Sequence, residues 1–301
     1  MDESLSQLLQ RRLNEPTEVR SVLVPGVFNA LSAVLAQRAG FECLYLSGSA
    51  TAAANYGLPD IGLIGRSEMA TNCTQVASAV RVPVIVDADT GYGGPNDVRQ
   101  TVTSLLRAGA SAITIEDQVL EKRCGYSEGV RVEPPAVQAR RIRAAALAKK
   151  GSDLLIVGRT DALSSNGLED ALNRCRIMAD AGADVVWIVG LQKYSAEELR
   201  QIRANLLAPA LIDYTELEAS RNHDFHELAL AGYELVLVAL TGILASIHAM
   251  AQVYSALASG GDWMPYRESL TPFDEYNNLV GMDRAAEFEA KVDGAESEAG
   301  Q

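Results

Sequence analysis

One repeated pattern constrains the fold of this chain more than any other feature. Four times, an Ala-Gly pair ends a stretch of helical character and a short apolar run follows it. The pairs are Ala39-Gly40, Ala108-Gly109, Ala181-Gly182 and Ala231-Gly232. Glycine suits the left-handed position that ends many helices, and a continuous apolar run is typical of a parallel strand buried on both faces. The pattern therefore predicts helices that alternate with buried parallel strands.

Eight apolar runs lie along the chain, and the stretches between most of them can hold a helix. In order they are Ser21–Val24, Cys43–Leu46, Pro83–Val86, Ala112–Ile115, Leu154–Val157, Val185–Ile188, Ala208–Ile212 and Leu235–Val238. Eight such units predict an α/β fold, a closed (β/α)8 barrel of the TIM type. The alternative is an open doubly wound sheet, but no glycine-rich dinucleotide-binding turn follows the first run.

The length of 301 residues suits one barrel with additions at both ends. Leucines at positions 5, 8, 9 and 13 have helical spacing and predict a helix before the first strand. A last helical segment is expected near Phe273–Val292. We therefore interpret residues 1–301 as a single domain, with the barrel over 20–250 and a C-terminal helical extension for oligomerisation over 251–292.

Composition narrows the class of protein. Apolar residues make up 48% of the chain and charged residues 22%, which allows a large buried core. The net charge of −13 argues against nucleic acid as a partner, because phosphates would be repelled. The acidic N-terminus lacks the apolar segment of a secretory signal, and no apolar run is long enough for a membrane span. Four scattered cysteines are typical of reduced thiols, so a soluble, cytoplasmic protein without a membrane partner is expected.

Acidic residues follow neighbouring strands at the points where the strands end. Asp87 and Asp89 come directly after the third apolar run, and Glu116 follows the fourth. In a barrel these ends meet at the face where active sites form. Three carboxylates there would repel one another unless a cation lay between them, and oxygen ligands suit Mg²⁺ or Mn²⁺. The alternative is that each Asp caps the helix that follows. The histidines at 223 and 226 are expected to face solvent, and His248 to be structural.

The segment after the fourth strand, Glu121–Gly129, is polar and carries a cysteine beside two cations. Neighbouring Lys122 and Arg123 are expected to lower the pKa of the Cys124 thiol. Such a loop could close over a substrate and bring in the thiol as an acid or base. The other three cysteines lie in or beside apolar segments and are predicted to be small buried side chains.

Several motifs in chain order now carry a resemblance. They are Tyr45-Leu46-Ser47-Gly48, Gly57-Leu58-Pro59-Asp60, Val86-Asp87-Ala88-Asp89-Thr90-Gly91-Tyr92-Gly93, Ile115-Glu116-Asp117-Gln118, Lys122-Arg123-Cys124-Gly125 and Gly158-Arg159-Thr160-Asp161-Ala162. Over roughly residues 20–260 the chain resembles the isocitrate lyase/phosphoenolpyruvate mutase superfamily. Its Lys-Arg-Cys-Gly run is similar to that of the 2-methylisocitrate lyase, 2,3-dimethylmalate lyase and oxaloacetate hydrolase branch.

The resemblance implies a Mg²⁺-dependent carbon–carbon lyase. It would cleave a 2-hydroxy di- or tricarboxylate, a substituted malate or a methylisocitrate-like acid, to pyruvate or glyoxylate plus a carboxylate, through an enolate or aci-carboxylate. The implied metal-binding residues are Asp87, directly, and Asp89 and Glu116, through water. The implied catalytic residues are Cys124, Lys122, Arg159 and Asp60. The implied substrate-binding residues are Tyr45, Ser47, Gly48, Ser49, Arg123, Gly125, Tyr126 and Asp213. The superfamily also implies a homotetramer, a dimer of dimers, with an exchanged C-terminal helix.

Three positions depart from the lyase pattern. Tyr126 stands where the lyases usually have His, Val189 where they have Glu, and Asp213 where they have Asn. The Val-Gly-Leu run at 189–191 is similar to the oxaloacetate decarboxylase branch. These changes favour a smaller 2-hydroxy or 2-oxo dicarboxylate over a tricarboxylate. An oxaloacetate hydrolase or decarboxylase on the same scaffold is the alternative, and an inactive binding protein is a third hypothesis.

Overall fold

The structure is a computed structural model of the chain and describes residues 3–14, 21–214, 223–260 and 264–299. It divides into two compact units, Met1–Leu244 and Ala245–Gln301. Residue 20, the predicted start of the barrel, lies outside the described residues. The predicted domain limits and the oligomerisation role of the extension stay predictions.

Eight parallel strands close into a barrel in the order in which they follow along the chain, with the first paired to the last. They are β1 Val22–Val27, β2 Leu44–Leu46, β3 Val84–Asp87, β4 Ala112–Glu116, β5 Leu155–Thr160, β6 Val185–Ile188, β7 Ala210–Asp213 and β8 Leu235–Val238. The predicted (β/α)8 barrel is confirmed, and each predicted apolar run contains or overlaps one strand.

Helices precede and separate the strands. They are α1 Leu5–Asn14, α2 Ala30–Arg38, α3 Gly48–Thr51, α4 Arg66–Ala79, α5 Pro95–Arg107, α6 Pro135–Ala148, α7 Ala162–Asn166, α8 Leu168–Asp180, α9 Ala196–Ala204 and α10 Phe225–Leu230, with a π-helical turn at Ala52–Tyr56 and a 3₁₀ turn at Leu191–Lys193. The glycines of the four Ala-Gly pairs have φ values of 96°, 94°, 106° and 91°, as their C-terminal position requires. The predicted N-terminal helix is α1, which buries Leu9 and Leu13.

The first strand extends further than its apolar run. The run predicts an end at Val24, since Pro25 and Gly26 normally interrupt strands, but β1 continues to Val27. A Cβ atom on Gly26 would lie 1.9 Å from the carbonyl oxygen of Ala239. Glycine is therefore the residue that allows β1 to pass this close to the end of β8.

Side chains alternate along each strand between two apolar layers. In β2, Leu44 and Leu46 pack in the larger cluster between strands and helices, whereas Tyr45 points into a second cluster. That second cluster also contains Trp187 of β6 and Val189 just after it. This alternation brings Tyr45 and Trp187 together inside the barrel, with ring centroids 6.1 Å apart at an edge-to-face angle of 88°.

The C-terminal part of the chain is helical. It contains the helices α11 Thr241–Ala258, α12 Met264–Arg267, α13 Phe273–Val280 and α14 Met282–Ala299. The helical segment expected near Phe273–Val292 is present as two helices, because Gly281, with φ 87°, separates α13 from α14. Several apolar side chains of this unit are exposed, among them Phe273 at 75% and Phe288 at 69%. None of the helices in the described ranges combines the length and the apolar character that a membrane span requires.

Candidate active site

Four acidic side chains gather at the carboxyl ends of the strands. Asp87 is the last residue of β3 and Glu116 the last of β4, while Asp89 follows β3 by two residues. All three are buried. Asp60 approaches from the loop before α4. Parallel pairing sets Glu116 beside Arg159 of β5, so the predicted strand-end residues share one face of the barrel.

The turn after β3 has an unusual backbone. Asp89 has φ 47° and Tyr92 has φ 61°, values that side chains other than glycine seldom adopt. Asp87 holds the turn by accepting hydrogen bonds from the N–H of Asp89 at 3.1 Å and of Gly48 at 3.3 Å. A Cβ atom on Gly48 would lie 2.9 Å from that same carboxylate. Such strain concentrates at functional sites, where the surrounding structure maintains it.

Two buried cations reach this acidic cluster. The ammonium group of Lys122 donates to Asp89, lies 2.8 Å from Asp60 and is 3.9 Å from Glu116. Arg159 makes a two-pronged contact with Asp161 at 2.8 and 3.0 Å and lies 3.3 Å from Glu116. Its guanidinium stands 4.7 Å above the ring of Trp187. The ammonium group of Lys122 is thus directed at the carboxylates and not at the neighbouring thiol of Cys124.

Glu116 is the clearest indication that an ion belongs here. Its side chain is fully buried, and neither carboxylate oxygen has a hydrogen-bond partner among the described residues. Burial raises the pKa of Glu116 well above its usual value, against the opposing effect of Lys122 and Arg159, and raises that of Asp89 to about 6. A buried carboxylate without a partner is costly. A hydrated divalent cation between these oxygens would remove that cost, so the residues fit Mg²⁺ or Mn²⁺.

The fit is to a hydrated ion. In the described part of the chain, no three His, Cys, Asp or Glu side chains are placed to hold one metal ion among them. Magnesium keeps several waters and often takes only one or two protein carboxylates directly. An arrangement in which Asp87 alone is a direct ligand is compatible with both observations.

Cys124 is half-buried and lines a groove of about 700 Å³ that Asp60 and Lys122 also line. The expectation that Lys122 and Arg123 lower its pKa is wrong. Burial raises the pKa of the thiol above its ordinary value, and the opposing effects of Arg159 and Lys122 do not overcome it. The remaining cysteines are buried, as predicted. A thiol with a raised pKa remains protonated at neutral pH, which suits a proton donor.

The loop touches the strand ends directly. A Cβ atom on Gly125 would lie 2.3 Å from the Asp161 carboxylate, 2.7 Å from Arg159 and 3.2 Å from Val189. The next residue, Tyr126, donates a hydrogen bond of 2.6 Å to Asp213 at the end of β7. The loop is therefore closed over the mouth of the barrel, and glycine at 125 permits that approach.

Some predicted site residues are already engaged with other groups of the chain. The Arg123 side chain is exposed, lines the groove beside Cys124 and turns back to the carbonyl of Glu128. The Ser47 hydroxyl accepts the N–H of Ala50 as a helix cap, and Ser49 is half-buried. His223 was expected to face solvent, which is wrong, since it is 7% exposed and contacts the Tyr194 carbonyl at 2.6 Å.

Sequence reasoning overlooked two residues. The side chain of Gln118 exchanges hydrogen bonds of 2.9 Å with both backbone groups of Arg123, which fixes the loop beneath Cys124. Trp187 donates from its indole nitrogen to Asp213 at 2.7 Å. Gln118 carried a signal, because it directly follows the acidic pair of β4. Trp187 did not, because a tryptophan within an apolar strand is usually a core residue.

The fold and site together define a class: an α/β barrel whose strand ends present a buried acidic cluster beneath a cysteine-bearing loop. The profile of the phosphoenolpyruvate phosphomutase family matches residues 10–258. The chain belongs to the phosphoenolpyruvate mutase/isocitrate lyase superfamily, as its motifs predicted.

Individual relatives refine this placement. A 2-methylisocitrate lyase of Aeropyrum pernix is 39% identical over 281 residues, covering 93% of this chain and 90% of that protein. A crystal structure of 2,3-dimethylmalate lyase is 33% identical, with a TM-score of 0.89 and coverage of 97% and 96%. Oxaloacetate acetylhydrolase with 3,3-difluorooxalacetate is 31% identical, with a TM-score of 0.88 and coverage of 97% and 98%. The predicted enzyme class agrees with relatives that are named lyases.

A further solved structure bears on the metal. A phosphonopyruvate hydrolase in complex with oxalate and Mg²⁺ is 26% identical to this chain, with a TM-score of 0.83. The alignment covers 95% of this chain and 98% of that one.

Proposed function

We propose that this protein is a Mg²⁺-dependent carbon–carbon lyase that cleaves a substituted malate to a 2-oxo acid and a carboxylate. The observation that carries the proposal is the groove in which Cys124, Lys122 and Asp60 meet beside the buried carboxylate of Glu116, which accepts no hydrogen bond from the described residues. A thiol that could donate a proton next to an acidic cluster that fits a cation supports this chemistry. Kinship to named 2-methylisocitrate and 2,3-dimethylmalate lyases supports the reaction class.

The metal site consists of Asp87 as a direct ligand, with Asp89 and Glu116 acting through water. The phosphonopyruvate hydrolase structure, which contains Mg²⁺, supports the choice of ion. When bound, the ion supplies positive charge that stabilises negative charge on the substrate oxygens. Lys122 neutralises Asp60 and Asp89 on the loop side, so the ion and the ammonium group share the acidic cluster.

The 2-oxo-acid end of the substrate lies against β2 and β5. Tyr45 and the hydroxyls of Ser47 and Ser49 offer donors at one side, beside the Gly48 N–H that Asp87 already accepts, and the guanidinium of Arg159 faces them. A planar guanidinium with several donors suits a carboxylate even when one edge is engaged, as here with Asp161. The end of β6 is apolar at Val189, which favours a substrate with an alkyl substituent over one with a third carboxylate.

Cys124 protonates the carbon that departs. A base removes the substrate's hydroxyl proton, the bond between C2 and C3 breaks, and a carbonyl forms at C2. The electron pair remains on C3 and takes the thiol proton, after which solvent restores the thiol. Exclusion of water by the closed loop strengthens every charge interaction in this step.

The test is an assay of the purified full-length chain with Mg²⁺ and a panel of malates that carry alkyl groups at C2 or C3. Formation of a 2-oxo acid from a substituted malate, with loss of that activity in Cys124→Ala, is the expected result. Cys73→Ala is the matched control, because it removes a buried thiol of the outer layer. A panel in which no malate yields a 2-oxo acid would refute the proposal.

Hydrolysis or decarboxylation of oxaloacetate is the second candidate. The likeness to oxaloacetate acetylhydrolase and the apolar Val189 favour it. The same assay with oxaloacetate separates the two, since consumption of oxaloacetate without cleavage of any malate would identify this activity. In either case the substrate is a small carboxylic acid.

We further propose that the enzyme works as a cytoplasmic homotetramer. Exposed apolar side chains on α11, α13 and α14, including Tyr254, Phe273 and Phe288, support an assembly, because large apolar surfaces seldom remain open to water. The C-terminal extension would supply that contact surface.

A further inference from the structure

The loop over the active site, residues 119–131 and called the lid below, is fixed at its base. Gln118 and Val132 form an antiparallel bridge just outside it. The N–H of Val119 donates to the carbonyl of Arg131 at 3.1 Å, and the N–H of Glu133 donates to that of Asp117 at 2.8 Å. Both ends of the lid are therefore tied to the end of β4, and any opening must occur at its tip.

The tip is held by a different contact. The hydroxyl of Tyr126 donates to one oxygen of Asp213, at 2.6 Å. The other oxygen of Asp213 accepts the indole N–H of Trp187, at 2.7 Å. Asp213 is fully buried at the end of β7, so each oxygen of a buried carboxylate has one short, charge-assisted hydrogen bond.

Trp187 is itself fixed from two sides. The guanidinium of Arg159 lies 4.7 Å above its ring, and the ring of Tyr45 meets it edge to face. Both partners are buried residues of the barrel strands. The position of Asp213, and through it that of Tyr126, is thereby tied to the rigid barrel.

We propose that Tyr126, Asp213 and Trp187 form a latch that holds the lid closed and positions Cys124 over the site. They are positioning residues, and Asp213 serves the lid instead of binding the substrate. The inference rests on the proposed function only for what the thiol then does. A substrate carboxylate is not needed at this corner, because Asp213 already supplies the negative charge that Tyr126 meets.

The experiment measures how readily Cys124 reacts with iodoacetamide in the substrate-free full-length protein. Cys124 is half-buried and the other three cysteines are buried, so alkylation reports the lid. Loss of a hydrogen bond to a charged group shifts such an equilibrium by roughly 10- to 100-fold. Tyr126→Phe is therefore expected to speed alkylation about tenfold or more, with trypsin cleavage at the exposed Arg123 accelerated in parallel.

Three further variants sharpen the test. Asp213→Ala should speed alkylation at least as much as Tyr126→Phe, because it removes the hydrogen bonds to both Tyr126 and Trp187. Adding Tyr126→Phe to Asp213→Ala should then change little. Tyr233→Phe is the control, because it removes another buried hydroxyl, one bonded to the Leu199 carbonyl at 3.4 Å in the outer layer. Wild-type alkylation in Tyr126→Phe, or equal acceleration in Tyr233→Phe, would overturn the latch. Neither alkylation nor trypsin cleavage requires turnover, so failure of the proposed lyase activity would be recognised separately.

Discussion

Substitution of Gly125 by alanine tests whether the closed lid is the catalytically competent state. The added Cβ atom would lie 2.3 Å from the Asp161 carboxylate and 2.7 Å from the Arg159 guanidinium. Those two groups are bonded to each other and buried, so neither can withdraw easily. The lid is the element that must move. Overpacking of this kind costs about 1–3 kcal/mol.

That free-energy cost lowers the population of the closed lid. Since about 1.4 kcal/mol corresponds to a factor of ten, the closed lid should become roughly 5- to 140-fold less favoured in Gly125→Ala. We expect kcat/KM to fall by a similar factor when the proposed lyase reaction is followed by 2-oxo acid release. Iodoacetamide should modify Cys124 faster, while the thermal unfolding midpoint should change little, because the barrel is untouched.

Gly94→Ala is the matched control. Gly94 is an exposed helix cap with φ −80°, and a Cβ atom there would meet only the Asp97 carboxylate, at 3.9 Å. Its activity should stay near that of the wild type. Full activity in Gly125→Ala, or an equal loss in Gly94→Ala, would refute the reasoning that this close approach limits the lid.

The remaining predictions concern the thiol, the metal and the assembly. Cys124→Ala should lower kcat at least a hundredfold while Mg²⁺ affinity by calorimetry stays unchanged; unchanged turnover would exclude the thiol. Because the active thiol is protonated and burial raises its pKa, the alkaline fall of kcat should lie at higher pH than the titration of a free cysteine thiol under the same conditions; a fall at or below that pH would contradict this. Glu116→Gln should weaken Mg²⁺ binding roughly 10- to 100-fold, whereas Glu121→Gln on the exposed lid should not. Light scattering should give four times the 32.2 kDa chain mass, and a monomer would contradict the tetramer.

The barrel could be predicted because its signals are local. A left-handed glycine often ends a helix, and a short apolar run directly after it is typical of a buried parallel strand, so each Ala-Gly pair predicts one helix-to-strand connection. Boundaries were less accurate where tertiary packing overrides propensity. β1 can continue through residue 26 because glycine has no side chain, and the backbone at Ala239 leaves no room for one. Nothing near residue 26 in the sequence encodes that distance.

The site was predictable only in part for the same reason. Asp87, Asp89 and Glu116 follow strands directly, so the topology alone brings them to one face. The bond between Tyr126 and Asp213 joins residues that are 87 positions apart, and the family resemblance that assigned both to the substrate does not express that contact. The direction of the Arg123 side chain likewise depends on contacts such as those of Gln118 with its backbone, which sequence spacing does not express.

The distribution of charge explains why a cysteine loop and an acidic cluster occur together. Carboxylates outnumber cations at the strand ends, since Lys122 and Arg159 face Asp60, Asp87, Asp89, Glu116 and Asp161 within one buried region. A substrate with two carboxylates would be repelled by this surplus unless a divalent ion reversed it. Lys122 enters the cluster from the lid, so lid closure adds positive charge at the same place. Under the proposed function, metal and lid would both offset the surplus of negative charge, and Cys124, two residues from Lys122, would reach the substrate only in the closed state in which that surplus is balanced.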